Sequence, residues 1–139
     1  MKESKLTYYK SQAVFTIYFD SDFEPSILNK ILGVNANKIV LKKNAVKNPS
    51  NPQGLGFYQL ATNVGEDRET EFAVATVLRV FIKKVDDINK ILRENNGFCK
   101  LDLFLKQSKD AICPDVSLSP NAIKLLSSLN ARFCVNVIA

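Results

Sequence analysis

A chain of 139 residues with 46% hydrophobic and 24% charged side chains has the length and composition of one globular domain, not of a disordered or fibrous chain. It holds no histidine and no tryptophan, which excludes Ser-His-Asp and Cys-His catalysis, histidine zinc ligation and imidazole pH switching. Its net charge of +5 resides in residues 30–65, where Lys30, Lys38, Lys42, Lys43 and Lys47 stand without any acid, while the other 14 basic residues balance 14 acidic ones.

Residues 1–12 are expected to form a loose extension. MKESKLTYYK has charges but no apolar core after them, so no signal peptide is expected, and no apolar run approaches the roughly 18 residues that span a bilayer. AVFTIYFD (13–20) then alternates, with Ala13, Phe15, Ile17 and Phe19 on one side and Val14, Thr16, Tyr18 and Asp20 on the other. That period of two predicts a strand with its second face partly covered. In DSDFEPSILNKILGV, Pro25 suits a first helical turn and Gly33 the residue past its end, with Ile27, Leu28, Ile31 and Leu32 as the apolar stripe.

NKIVLKKNAV (37–46) and GFYQLAT (56–62) predict two further strands joined by a long, mobile loop. One long helix is expected over 69–95. Val74, Leu78, Phe81, Val85, Ile88 and Leu92 are spaced 4-3-4-3-4, Val77, Ile82 and Ile91 widen the stripe, and Asn95-Asn96-Gly97 stops it. The width of that stripe favours packing across a sheet over a coiled-coil seam. FCKLDLFLK follows as a strand with Cys99, Leu101, Leu103 and Leu105 on one face, then a short extended piece near Val116 and Leu118. SPNAIKLLSSLN predicts a helix capped by Ser119, and RFCVNVIA a closing strand with Phe133, Val135 and Val137 inward.

The order β-α-β-β-α-β, then α-β, predicts a single α+β domain over 1–139: a ferredoxin-like sheet with helices on one face and an added C-terminal helix and strand. Three stretches carry a family likeness: FDSDFEPSILNKILGV, QGLGFYQLAT before the long helix, and VSLSPNAIKLLSSLNARFCVNVIA. From about Ala13 onward the chain resembles the bacterial domain-of-unknown-function 4279 family. That resemblance implies the layout alone, with no reaction, cofactor or active-site residue.

Lys38, Lys42, Lys43 and Lys47 beside Phe57 and Tyr58 form the candidate binding surface, since clustered cations next to aromatics suit a phosphate backbone with stacked bases. The alternative is that lysines on an edge strand only keep it from pairing with other chains. NPSNPQGLG lacks the GxxxxGK[ST] spacing and a following helix, so it is no phosphate loop. Asp20, Asp22 and Glu24 are the candidate metal ligands, against a reading as helix-capping, solvated acids. Cys99, Cys113 and Cys134 form no CxxC pair and are odd in number; they read as free thiols in a reducing, cytoplasmic compartment, with Cys113 exposed.

The expectation is a non-catalytic binding or protein-interaction module, without cofactor or membrane association, monomeric or homodimeric. Three alternatives stand beside it: an immunity-type inhibitor of a partner protein, a nucleic-acid-binding domain using the basic 38–47 hairpin, and an enzyme using the carboxylates of Asp20, Asp22 and Glu24 with the hairpin lysines.

Overall fold

The computed structural model describes residues 9–62, 70–107 and 116–138. Strand β1 spans Tyr9–Phe19, so residues 9–12 belong to the sheet and not to the expected extension; residues 1–8 lie outside the described residues. Helix α1 (Ile27–Leu32) follows Pro25 and ends at Gly33, whose φ of 72° is a left-handed value that suits glycine.

Strand β2 covers only Lys38–Val40, well short of the strand expected over 37–46. Its ladder with β3 (Gly56–Ala61) ends at Val40↔Phe57, and Lys42–Asn44 wind into a 3-10 turn. Gly56 makes that departure feasible. A Cβ there would lie 2.8 Å from the Lys42 nitrogen and 3.1 Å from the Val40 oxygen, so the chain can cross over only a bare glycine.

The single long helix expected over 69–95 is broken. Helix α2 (Thr70–Leu78) runs into a 3-10 turn (Arg79–Phe81), and α3 (Val85–Glu94) starts afresh. Between them Ile82 is extended and 60% exposed, and Lys83 adopts φ of 66°. Asp86 and Asp87 occupy the first turn of α3, where acids complement the positive end of a new helix. The apolar stripe survives the break: Val74, Leu78, Phe81, Ile88 and Leu92 are buried and Val85 is half-buried. Asn96 (φ 49°) and Gly97, whose N–H donates to the Leu92 carbonyl at 2.8 Å, close α3 as expected.

Strand β4 (Phe98–Gln107) is followed by α4 (Pro120–Ser128), whose Ser119 Oγ accepts from the Ala122 N–H at 3.1 Å, and by β5 (Arg132–Ile138). Val116 and Leu118 lie half-buried against the core without forming a strand. The molecule is thus mixed α+β, with five strands and four α-helices among the described residues.

The sheet order is β2-β3-β1-β4-β5, antiparallel throughout except for the parallel β4–β5 pair. One face carries Ala13, Phe15, Ile17, Phe19, Tyr58, Leu60, Cys99, Leu101, Leu103 and Leu105. Leu28, Val74, Ile88 and Leu126 from the four helices, with Phe81 from the 3-10 turn, close over them as one core. The expectation for β5 was wrong in one respect. Phe133, Val135 and Val137 lie in register with Leu101, Leu103 and Leu105, yet remain 36%, 41% and 55% exposed on a strand at the edge of the sheet.

Candidate functional site

The sheet face opposite the helices would ordinarily be solvated and polar. Here Val14, Thr16 and Tyr18 of β1 are 8%, 1% and 8% exposed, although the helices of the described residues pack on the other face. Their cover is the 41–55 loop. Together with the sheet it encloses a cleft of about 720 Å³, floored by Val14, Thr16, Phe57, Gln59 and Phe104 and walled by Asn44, Val46 and residues 48–51. A second cleft of about 510 Å³ lies on the other side of Pro49–Asn51, against Tyr18, Phe98, Lys100, Arg132 and Cys134.

The loop holds this position through its own hydrogen bonds. Asn48 Oδ1 accepts from the Ser50 N–H (3.0 Å), the Ser50 hydroxyl (2.8 Å) and the Asn51 N–H (2.8 Å). Asn51, nearly buried, donates from Nδ2 to the Leu55 carbonyl (2.9 Å) and accepts the Leu55 N–H on Oδ1 (3.0 Å). Such Asx turns replace the ladder bonds that Lys42–Leu55 cannot make. The long loop expected between the two strands is thus a hydrogen-bonded wall in this structure.

Cross-strand register organises the floor into rows. One row is aromatic: Phe57 on β3, Tyr18 on β1 and Phe98 on β4 are successive partners, with centroids 6.0 Å and 4.8 Å apart. Lys38 stands 5.7 Å over the Phe57 ring at one end and Arg132 4.6 Å over the Phe98 ring at the other. The neighbouring row is polar, running Lys38, Gln59, Thr16, Lys100 and Arg132 across all five strands. Gln59 Nε2 donates to Thr16 Oγ1 at 3.0 Å, and Lys100 lies 3.4 Å from Asp102. Burial raises the Tyr18 pKa, opposed by Lys100 and reinforced by Asp102, so its hydroxyl stays neutral. Lys38 and Arg132 have no carboxylate partner among the described residues. The site can therefore hold an anionic group at either end of an apolar, amide-edged floor.

Residues 7–138 match the family model described as Domain of unknown function (DUF4279). The chain belongs to that family. Over 115 residues it is 31% identical to the tRNA(Met) cytidine acetate ligase of Streptococcus gordonii, a match covering 78% of this chain and 30% of that one. The chain thus spans less than a third of that relative's length. No solved structure matches it.

In this DUF4279 domain the residues singled out in the sequence are dispersed. Of the lysines, only Lys38 lines the larger cleft; Lys43 and Lys47 are exposed and line neither. Lys42 donates to Asp20 Oδ1 at 2.6 Å, a bond that raises its pKa and ties the loop's base to the end of β1. Phe57 faces the cleft, but Tyr58 points the other way and is a correction. It is fully buried in the core, its hydroxyl donating to Asn29 Oδ1 at 2.8 Å, and burial pushes its pKa to about 12.

Asp20, Asp22 and Glu24 do not converge: Asp20 pairs with Lys42, Glu24 accepts from the Ser26 hydroxyl at 2.8 Å, and Asp22 is exposed. Among the described residues no three metal-ligating side chains cluster, and no helix is long and apolar enough to cross a membrane. Cys99 is buried, with its thiol pushed to about 12 by desolvation, whereas half-buried Cys134 borders the smaller cleft. Cys113, expected to be exposed, lies outside the described residues.

Tyr18, Phe98, Lys100, Arg132 and Asn136 escaped the sequence reading as site residues. Their signal was the phase of β1, β4 and β5: the positions between the apolar ones hold mostly aromatic, polar and charged groups.

Proposed function

We propose that this protein is a non-catalytic binding module of ferredoxin-like architecture, whose open sheet face holds an extended, acidic segment of a partner protein. The order β2-β3-β1-β4, antiparallel at each pair, supports that architecture, with α4 and β5 as the addition. The observation that carries the functional reading is the pair of clefts beside the loop, about 720 Å³ with Lys38 in its lining and about 510 Å³ with Arg132, two cations that lack carboxylate partners among the described residues. A strand-like segment fits a floor ruled into cross-strand rows, and amide side chains such as Gln59 and Asn136 match its peptide groups. Holding such a segment is how an immunity-type inhibitor would act on its partner.

A fluorescently labelled glutamate-rich peptide tests this. It should bind with an affinity that falls with added salt and falls further in Lys38→Glu and Arg132→Glu, with unchanged folded stability. Equal binding by a lysine-rich peptide of the same length would defeat the reading.

The name of the Streptococcus gordonii relative supports a second reading, a single-stranded RNA on the same face. Base stacking needs a free ring face. The rings of Tyr18 and Phe98 stack on each other at 4.8 Å and 19°, and cations cover the outer rings, which counts against this use. A labelled single-stranded oligonucleotide, titrated in parallel with the peptide, separates the two.

A further inference from the structure

The two edges of the sheet are unlike. β2 is three residues long, carries Lys38 and leads into the loop wall. β5 is seven residues long, and after Arg132 its residues 133–138 bear no charge. Among the described residues nothing pairs with the outer edge of β5, and Phe133, Val135 and Val137 stay partly exposed beside it. An uncharged, apolar, unpaired edge of this length is a template for another strand.

We infer that β5 pairs with β5 of a second copy of this chain, antiparallel about Val135, to make a two-fold dimer with one continuous ten-stranded sheet. Two observations select a second copy as the occupant. First, the strand is self-complementary in this register: Val135 meets Val135, Phe133 meets Val137, Cys134 meets Asn136, and Arg132 meets the uncharged Ile138. An isologous interface requires that every contact be repeated about the axis, and this one repeats with no like-charge opposition.

Second, the strand order keeps the charge away. The net +5 resides in residues 30–65, around β2 and β3, while β5 is the opposite edge. At about 4.8 Å per strand the two β2 edges of the dimer stand roughly 43 Å apart, several times the ~8 Å over which salt screens charges.

Pairing also changes the binding face. Arg132 and Cys134 line the smaller cleft and Asn136 the larger. Across the seam the second copy's Asn136 sits beside Cys134, so the clefts of the two subunits share a wall.

Sedimentation velocity from micromolar to millimolar protein tests the pairing. The wild type should move from monomer to dimer over that range. Val135→Lys should raise the dissociation constant about a hundredfold, because two valines lose their burial and two lysines face each other. Its circular dichroism and unfolding midpoint should match the wild type. Asn136→Cys tests the register: mild oxidation should link Cys134 of one chain to position 136 of the other, identified by peptide mass mapping. A wild type that stays monomeric, a Val135→Lys variant that still dimerises, or a dimer that never forms the 134–136 link would each overturn the proposal.

Discussion

Strand β1 is covered on both sides, and the two covers differ in kind. Phe15, Ile17 and Phe19 lie under helices, packed by large apolar side chains. Val14, Thr16 and Tyr18 lie under a loop that is held by asparagine side chains and leaves a cleft. Dispersion and burial reward the first arrangement with stability. The second gives up some of that packing for a shaped, polar-edged space. One side of the sheet is therefore close-packed, and the other leaves open space beside it.

The largest effect that can break this comparison is a cavity. Leu103→Ala, fully buried on the helix side, should cost about 3 kcal/mol in urea unfolding, whereas Val14→Ala on the cleft side should cost about 1 kcal/mol. Equal costs would mean that the two sides are packed alike.

A smaller effect comes from alkali. Burial favours the neutral forms of Cys99 and Tyr58, so the native protein keeps protons that the unfolded chain releases. Stability should be intact below pH 9 and fall as pH rises, first through the window of Cys99 from 9.0 to about 12 and then through that of Tyr58 from 10.0 to about 12. Tyr58→Phe should flatten the upper part of that decline when unfolding midpoints are plotted against pH; an unaltered slope would place Tyr58 outside the core.

The smallest effect concerns the loop's tether. Lys42 has its pKa raised by its bond to Asp20 and by that carboxylate's charge. Asp20→Asn should return the Lys42 ammonium to its ordinary titration, observed by NMR of the lysine side chains. The contribution of this contact is present at neutral pH and lost as pH rises through the raised value. No change in the Lys42 titration would show that the loop is held by its asparagines alone.

Particular residues show how much of this was legible beforehand. The alternation of 13–20 and of 98–105 identified β1, β4 and their core faces, because a strand's period is local. The cap at Ser119 and the stop at Asn95–Gly97 were equally local, being set by hydrogen bonds within a few residues. The break at Ile82–Lys84 was not read, although Asp86 and Asp87 marked a fresh helix start within the stripe. A 4-3-4-3-4 spacing is satisfied by two helices on one face as well as by one.

Tyr58 was misassigned because neighbouring strand residues point to opposite faces, and the aromatic pair Phe57-Tyr58 had to be split by the sheet. Phe133, Val135 and Val137 had the right side but not the right surroundings.

By itself, then, the order of residues along the chain settled which side chains share a side of each element, through periods of two and of about 3.6 that involve only near neighbours. Only the tertiary structure decided what lies against each side: helices on one face of the sheet, a loop on the other and, among the described residues, no strand on the outer edge of β5. Those covers join residues far apart in the chain, such as Asn51 to Thr16 across the cleft, and no local period can encode such a meeting.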